Sequence, residues 1–191
     1  MQPPTLYYDL GSPYAHLAVA RAAGVLGVEP RLQPVLVGGL FVERGWGSWS
    51  QTPARTGRIE EIEARAKRYG LPPLRWPEGW PNNTLKAMRA AVWAEGLGRG
   101  ADFARAGFRL AFAEGADLSR REVLERVARE VELPAEEMLA AIEDQTIKER
   151  LRAATAEAWE RGVTGVPSIG AGGKVFFGDD RLELAALACA A

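Results

Sequence analysis

Strand signals occur only at the two ends of this chain, with a long helical stretch between them, and that separation limits the folds open to it. Thr5-Leu6-Tyr7-Tyr8-Asp9 is a short β-prone run, broken by Gly11. Ser12-Pro13 follows: a strong N-cap residue, then a proline, which suits the first helical position because its missing N–H has no partner there anyway. The alanines and leucines after it predict a helix from Pro13 to about Leu26, fraying at Gly24 and Gly27. A second strand is expected over Leu32 to Val37, and Pro34 marks it as an edge strand, where a missing donor costs least. Strand, helix, strand at this spacing is the pattern of a parallel βαβ crossover.

The middle of the chain changes character. Residues 38–50, which hold Gly38, Gly39, Gly45, Trp46, Gly47 and Trp49, read as a glycine- and tryptophan-rich loop. From Pro53 to Gly162, about 110 residues, apolar side chains recur at helical spacing. Ile59, Ile62, Ala66 and Tyr69 form one series; Leu85, Met88 and Val92 a second; Phe103, Phe108, Ala111 and Phe112 a third. Prolines from Leu71-Pro72-Pro73 to Trp80-Pro81 interrupt them. Ser119-Arg120-Arg121-Glu122 has the form of a capping box ahead of Val123, Val127 and Val131. A short helix from Pro134 to Ile142 and a longer one carrying Ile147, Leu151, Ala154 and Ala158 complete the stretch. Ser168-Ile169-Gly170 and Lys174-Val175-Phe176-Phe177 then flank Ala171-Gly172-Gly173 as a β-hairpin, and Asp179-Asp180 would cap a last helix from Arg181 to Ala188.

Composition removes several function classes. The 191 residues suit one domain, or one domain carrying an insertion, and 47% hydrophobic residues are enough for a core. A formal charge of -1 argues against a phosphate-binding nucleic-acid partner and against a polybasic membrane anchor. Cys189 and His16 are the sole cysteine and histidine, so a disulfide framework and a Cys/His zinc site are excluded. The N-terminus lacks a basic region and an apolar core, and no apolar run approaches the roughly 18 residues of a membrane span, so a cytoplasmic protein is expected.

Two tempting motifs fail on spacing. A phosphate loop ending at Lys174 would need Gly where Ser168 stands, and Ser or Thr where Val175 stands. A nucleophile elbow at Ser12 would need Gly where Tyr14 stands, and no histidine follows in chain order. Ser12 keeps two roles. As an N-cap it contributes about 1 kcal/mol. The same position also collects unpaired N–H groups and partial positive charge, which stabilise an anion and lower the pKa of a thiol placed there. Thr164-Gly165-Val166-Pro167-Ser168 is either an ordinary trans turn or a site for a cis Val166-Pro167 bond; the split core around it favours cis.

With those residues in view, the chain resembles the DsbA-like thioredoxin superfamily, and within it the family of 2-hydroxychromene-2-carboxylate isomerases and kappa-class glutathione transferases. The resemblance is carried by Asp9 with Ser12-Pro13-Tyr14, Phe41 with Gly45, Pro81-Asn82-Asn83-Thr84-Leu85 with Ala87 and Arg89, Gly165-Val166-Pro167, and Phe177-Gly178-Asp179-Asp180-Arg181. It implies an α/β, thioredoxin-like core formed by residues 1–40 and 160–191, with residues 41–159 as an inserted all-helical domain. It further implies that Ser12 holds the sulfur of glutathione as thiolate, that Val166 pairs its backbone with the cysteinyl part, and that Asp179 and Asp180 bind the γ-glutamyl end. Arg55 would meet a glutathione carboxylate. In such isomerases the thiolate adds reversibly to an unsaturated aromatic pyruvate, the new single bond rotates, and elimination leaves the trans isomer. Trp46, Trp49, Trp76 and Trp80 would either line a flat aromatic pocket or pack between helices. Family members commonly carry Asn where this chain has Trp46, so another low-molecular-weight thiol stays open beside glutathione. The resemblance also implies a homodimer.

Three alternatives stand beside the isomerase. A kappa-like glutathione transferase or peroxidase would share the thiol site. A non-catalytic thiol-binding module would keep the fold without turnover. A dithiol oxidoreductase is disfavoured, because Ser12 and Ala15 occupy both positions where an exchange pair would sit and Cys189 lies at the far end.

Overall fold

The computed structural model describes residues 3–45 and 47–190, and of Ala190 the backbone only. β1 (Thr5–Tyr8) leads through the Asp9–Ser12 turn into α1 (Pro13–Leu26), which Gly27 closes in a left-handed conformation. β2 (Arg31–Pro34) pairs parallel to β1 in the register Leu6↔Leu32. After a helical stretch, β3 (Ser168–Ala171) pairs antiparallel to β1, and β4 (Lys174–Phe177) antiparallel to β3. The sheet order is β2-β1-β3-β4, so β2, with Pro34 at its end, lies at an edge. Gly172 and Gly173 make the hairpin turn, both at positive φ, as a two-residue connection requires.

Four local expectations need correction. The second strand ends at Pro34 rather than Val37, because after Val35 bonds the Tyr8 carbonyl the chain leaves the ladder and turns into α2 (Val37–Arg44). Residues 38–50 are therefore not a continuous loop: α2 occupies Val37–Arg44, and a 3₁₀ turn follows at Trp49–Gln51. Glycine is a poor helix former, but Gly39 sits where a Cβ would meet Thr155 Cγ2 at 3.1 Å, so it permits close packing while Leu40 is buried. The Ser119 capping box does not form; its N–H donates to Asp117 Oδ1, and α6 (Arg121–Glu130) starts from Arg120 with no side-chain cap. Asp179–Arg181 is a 3₁₀ turn ahead of α9 (Leu182–Ala190), and the Asp179 carboxylate points into the site instead of capping.

The remaining helices are α3 (Arg55–Arg68), α4 (Leu85–Gly96), α5 (Gly100–Ala113), α7 (Ala135–Ala141) and α8 (Gln145–Glu160). Strand alternation sends Leu6 and Tyr8 to one face of the sheet and Tyr7 to the other. On the first face Ala15 and Ala18 of α1, Leu182 of α9, Met88 of α4 and Phe103 and Phe108 of α5 share one continuous apolar cluster, so the inserted helices and the sheet are packed as one core. On the second face Leu40 of α2 and Ala158 of α8 close over Tyr7 and Val35. The sheet is thus covered on both sides, and the loops at the end of β1 remain open above the helix mouths.

Candidate functional site

The opening between those loops is a cleft of about 740 Å³ at the N-terminus of α1, lined among others by Ser12, Tyr14, Phe41, Trp49, Val166 and Asp180. Its floor is the start of α1. Ser12 N donates to the Asp9 carbonyl at 2.9 Å, and Ser12 Oγ accepts from Ala15 N at 3.2 Å. With Oγ used as acceptor toward its own helix, the hydroxyl proton is available to an acceptor in the cleft. Pro13 carries no N–H and the first turn itself has no acidic residue, so the positive end of the helix dipole faces the opening, with the buried Asp9 carboxylate beneath it.

One wall is backbone. The Val166-Pro167 bond is cis, and Val166 lies just outside the β3 ladder that begins at Ser168. Gly178 N donates to the Pro167 carbonyl at 2.9 Å, which ties this wall to the end of β4. Gly165 lets the Phe177 ring lie close there: a Cβ on it would be 2.7 Å from that ring. The opposite wall is aromatic. Tyr14 meets Trp49 edge-on at 5.9 Å between ring centres, and Trp49 meets Trp80 at 5.5 Å. Trp80 precedes a second cis bond, to Pro81, which sequence reasoning did not foresee. Trp49 and Trp80 line the cleft, while Trp76 packs behind Trp80 and against Phe112; Trp46 lies outside the described residues.

The charged end is an ion-pair network. Asp179, 1% exposed, accepts from Arg65 at 2.7 Å on Oδ1 and from the Tyr69 hydroxyl at 2.9 Å on Oδ2. Burial pushes its carboxyl above the usual range, and the Tyr69 hydrogen bond and the Arg65 charge pull it back. Asp180 is half-exposed and reaches Arg65 only at 3.9 Å. Arg65 also holds Glu61 at 2.5 Å, and Glu61 in turn holds Arg58 at 3.0 Å.

The expected site residues therefore fall into two groups. Ser12, Val166, Asp179 and Asp180 line one cleft. Arg55 lies outside that lining; it donates to the Trp80 carbonyl at 2.8 Å and stands 5.7 Å from the Trp80 ring centre, behind the aromatic wall. The cations at the cleft are Arg44, Arg58 and Arg65. Sequence reasoning passed over them because an arginine on a polar helix face looks the same whether it meets solvent or a buried carboxylate 114 positions away.

A mixed four-stranded sheet, a cis-proline before its third strand and a helix mouth beside that proline define a thioredoxin-fold protein. The chain matches the DsbA-like thioredoxin domain over residues 5–190 and belongs to that family. It is 25% identical over 186 residues to the 2-hydroxychromene-2-carboxylate isomerase of Sphingobium xenophagum, an alignment covering 93% of this chain and 92% of that protein. A solved structure of 2-hydroxychromene-2-carboxylate isomerase superposes with a TM-score of 0.86 at 20% identity, covering 96% of this chain and 92% of that one. The cytosolic disulfide reductase DsbM of Pseudomonas aeruginosa, solved with GSH, shares the fold at a TM-score of 0.64 and 18% identity, over 99% of this chain and 96% of that one.

Proposed function

We propose that the protein is a thiol-dependent isomerase of the 2-hydroxychromene-2-carboxylate type, working with glutathione bound in the Ser12 cleft. The observation that carries this reading is Ser12 itself: an N-cap whose hydroxyl, accepting from its own helix and so left with a proton to donate, lines a cleft with a cis-proline edge on one side and an aromatic wall on the other. The similarity to a 2-hydroxychromene-2-carboxylate isomerase over nearly the whole chain supports the reaction class.

The residues present fit the tripeptide. The cleft volume falls within the roughly 300–1,000 Å³ of small-molecule sites. Val166 offers a peptide group outside the ladder for pairing with a cysteinyl backbone. Arg58 and Arg65 offer cations for its carboxylates, and Asp180 is the acid left exposed to meet an ammonium group; Asp179 supports that end through Arg65 and Tyr69. When bound, the cofactor supplies a sulfur nucleophile that attaches to an unsaturated carbonyl substrate and later leaves it. Ser12 donates to that sulfur, and the α1 dipole favours its anionic form. Tyr14, Trp49 and Trp80, packed against one another, form one aromatic wall against which a flat aromatic substrate would stack. The same reading includes a cytoplasmic location, where a reduced thiol pool would supply the cofactor, and the homodimer implied by the family resemblance.

The test is glutathione titration followed by thiolate absorbance, in the parent chain and in Ser12→Ala, with turnover of 2-hydroxychromene-2-carboxylate. A bound thiol pKa lowered in the parent and restored by at least about one unit in Ser12→Ala is expected. Conjugation of an electrophilic aryl halide without isomerisation would transfer the assignment to a glutathione transferase, and thiol binding without either reaction to a non-catalytic module.

A further inference from the structure

Asp9 is 1% exposed and sits directly beneath the mouth of α1. Its carboxylate accepts three hydrogen bonds, each 2.9 Å long, from three different walls of the cleft: Gly11 N and Thr84 Oγ1 on Oδ1, and Val37 N on Oδ2. Every partner is a donor, so the geometry demands acceptors on both oxygens, which a carboxylate has and a carboxamide lacks.

Each of those bonds does a separate job. The bond to Gly11 N closes an Asx turn, and together with the Asp9 carbonyl, which receives Ser12 N, it sets the entry of the chain into α1. The bond to Val37 N falls on the first residue of α2, whose own N-cap position is Leu36, a side chain with nothing to offer a free N–H. Asp9 therefore caps α2 from 28 positions away, and α2 carries Phe41 and Arg44 on the cleft wall. The bond to Thr84 Oγ1 fixes the segment that follows Trp80-Pro81. Approach here is tight: a Cβ on Gly11 would come within 3.1 Å of Thr84 Oγ1, so glycine at that position is what lets the threonine reach the carboxylate.

We infer that Asp9 is the positioning residue of this site, one carboxylate that holds the Ser12 turn, the α2 wall and the Trp80-Pro81 segment in a common register. Its functional consequence rests on the thiolate reading of Ser12; its structural content does not. An asparagine at position 9 keeps the shape but can accept on one oxygen only, so one wall must be released.

The experiment compares Asp9→Asn and Thr84→Val with the parent chain by two readouts. The first is amide hydrogen exchange at Gly11 and Val37. In Asp9→Asn at least one of them should exchange about tenfold faster, while core amides of α4 and α5 hold their rates. The second is the pKa of bound glutathione from thiolate absorbance. Removing a nearby negative charge would by itself lower it, so a rise of about one unit in Asp9→Asn is the signature of a misplaced Ser12 turn. A folded Asp9→Asn chain with unchanged exchange at both amides, or with a lowered thiol pKa, would overturn the inference. Should Asp9→Asn fail to fold, Thr84→Val decides: about threefold faster exchange at Gly11 supports positioning, and an unchanged rate rejects it. If the parent chain does not lower the thiol pKa of glutathione, the proposed function falls, and Asp9 is judged on exchange alone.

Discussion

Arg65 and Asp179 meet across the seam between α3 and the turn before α9, with Nη1 2.7 Å from Oδ1. The pair joins the helical stretch to the C-terminal end of the sheet at the edge of the cleft, and Tyr69 completes it from the other side of the carboxylate. Arg21 of α1 lies over the Tyr69 ring at 3.6 Å and donates to the Asp179 carbonyl, so α1, α3 and the last turn converge on one buried acid.

Breaking that pair from one side should be expensive. Arg65→Met leaves Asp179 buried without its cation, and a loss of about 3–5 kcal/mol is expected in urea unfolding. Adding Asp179→Asn should recover part of it, since the stranded charge is then gone. A single-variant loss under about 1 kcal/mol would mean that water reaches the carboxylate and that the pair is an ordinary surface contact.

Ser12→Ala should separate cap from chemistry. Its stability cost is that of one N-cap, about 1 kcal/mol, because among the described residues the side-chain bond lost is Ala15 N to Oγ. A thermal unfolding series reads this directly, and a cost beyond about 2 kcal/mol would show that Oγ holds more than the helix end.

His16 titrates far from its ordinary range. Packed at 5.9 and 5.5 Å from the Phe108 and Phe112 rings, it is pushed down from 6.5 to about 4 by burial, which penalises the charged form. Between those values the unfolded chain binds a proton that the folded one refuses. Stability from this group is therefore full above pH 6.5 and lost as pH falls toward 4, on the order of 3 kcal/mol at the acid end. Since His16 is the sole histidine, one imidazole NMR titration measures the midpoint without assignment, and His16→Phe should flatten the slope across that window. A midpoint near 6.5 in the folded protein would refute the burial argument.

The two glycines of the hairpin should respond unequally. Gly173, at φ +74° with open space around it, bears only the left-handed backbone cost, so Gly173→Ala should lose about 1 kcal/mol. Gly172 has φ +55°, and a Cβ there would lie 2.4 Å from the carbonyl oxygen of Ala188, which belongs to a helix backbone that cannot swing aside. Gly172→Ala should lose about 3 kcal/mol or more, strain and overpacking together. Equal losses in chemical denaturation would place the close approach to α9 in doubt.

Local chemistry wrote much of this molecule plainly. Ser12-Pro13 begins a helix because a hydroxyl can take a free N–H and proline has none to waste, and α1 starts at Pro13. Period-3.6 spacing of Ile62 and Ala66, or of Phe108 and Phe112, marked buried faces, and Gly172-Gly173 marked a hairpin. Local signals singled out Ser12; Val166, Asp179 and Asp180 were implied by the family resemblance, and all four line a single cleft. The glycines of α2 misled: Gly39, poor for a helix in isolation, gives Thr155 of α8 room to press close, while Gly38 has open space around it. Ser119 misled in the opposite way: the cap sequence was present, but the Asp117 carboxylate took its N–H first. Hydrogen-bond partners within four residues of each other can be read along the chain, since their distance is set by the helix or turn that contains them. Asp9 with Val37 and Thr84, Arg65 with Asp179, and Trp49 with Trp80 are brought together by the packing of helices on both faces of the sheet, and no spacing in the chain encodes that.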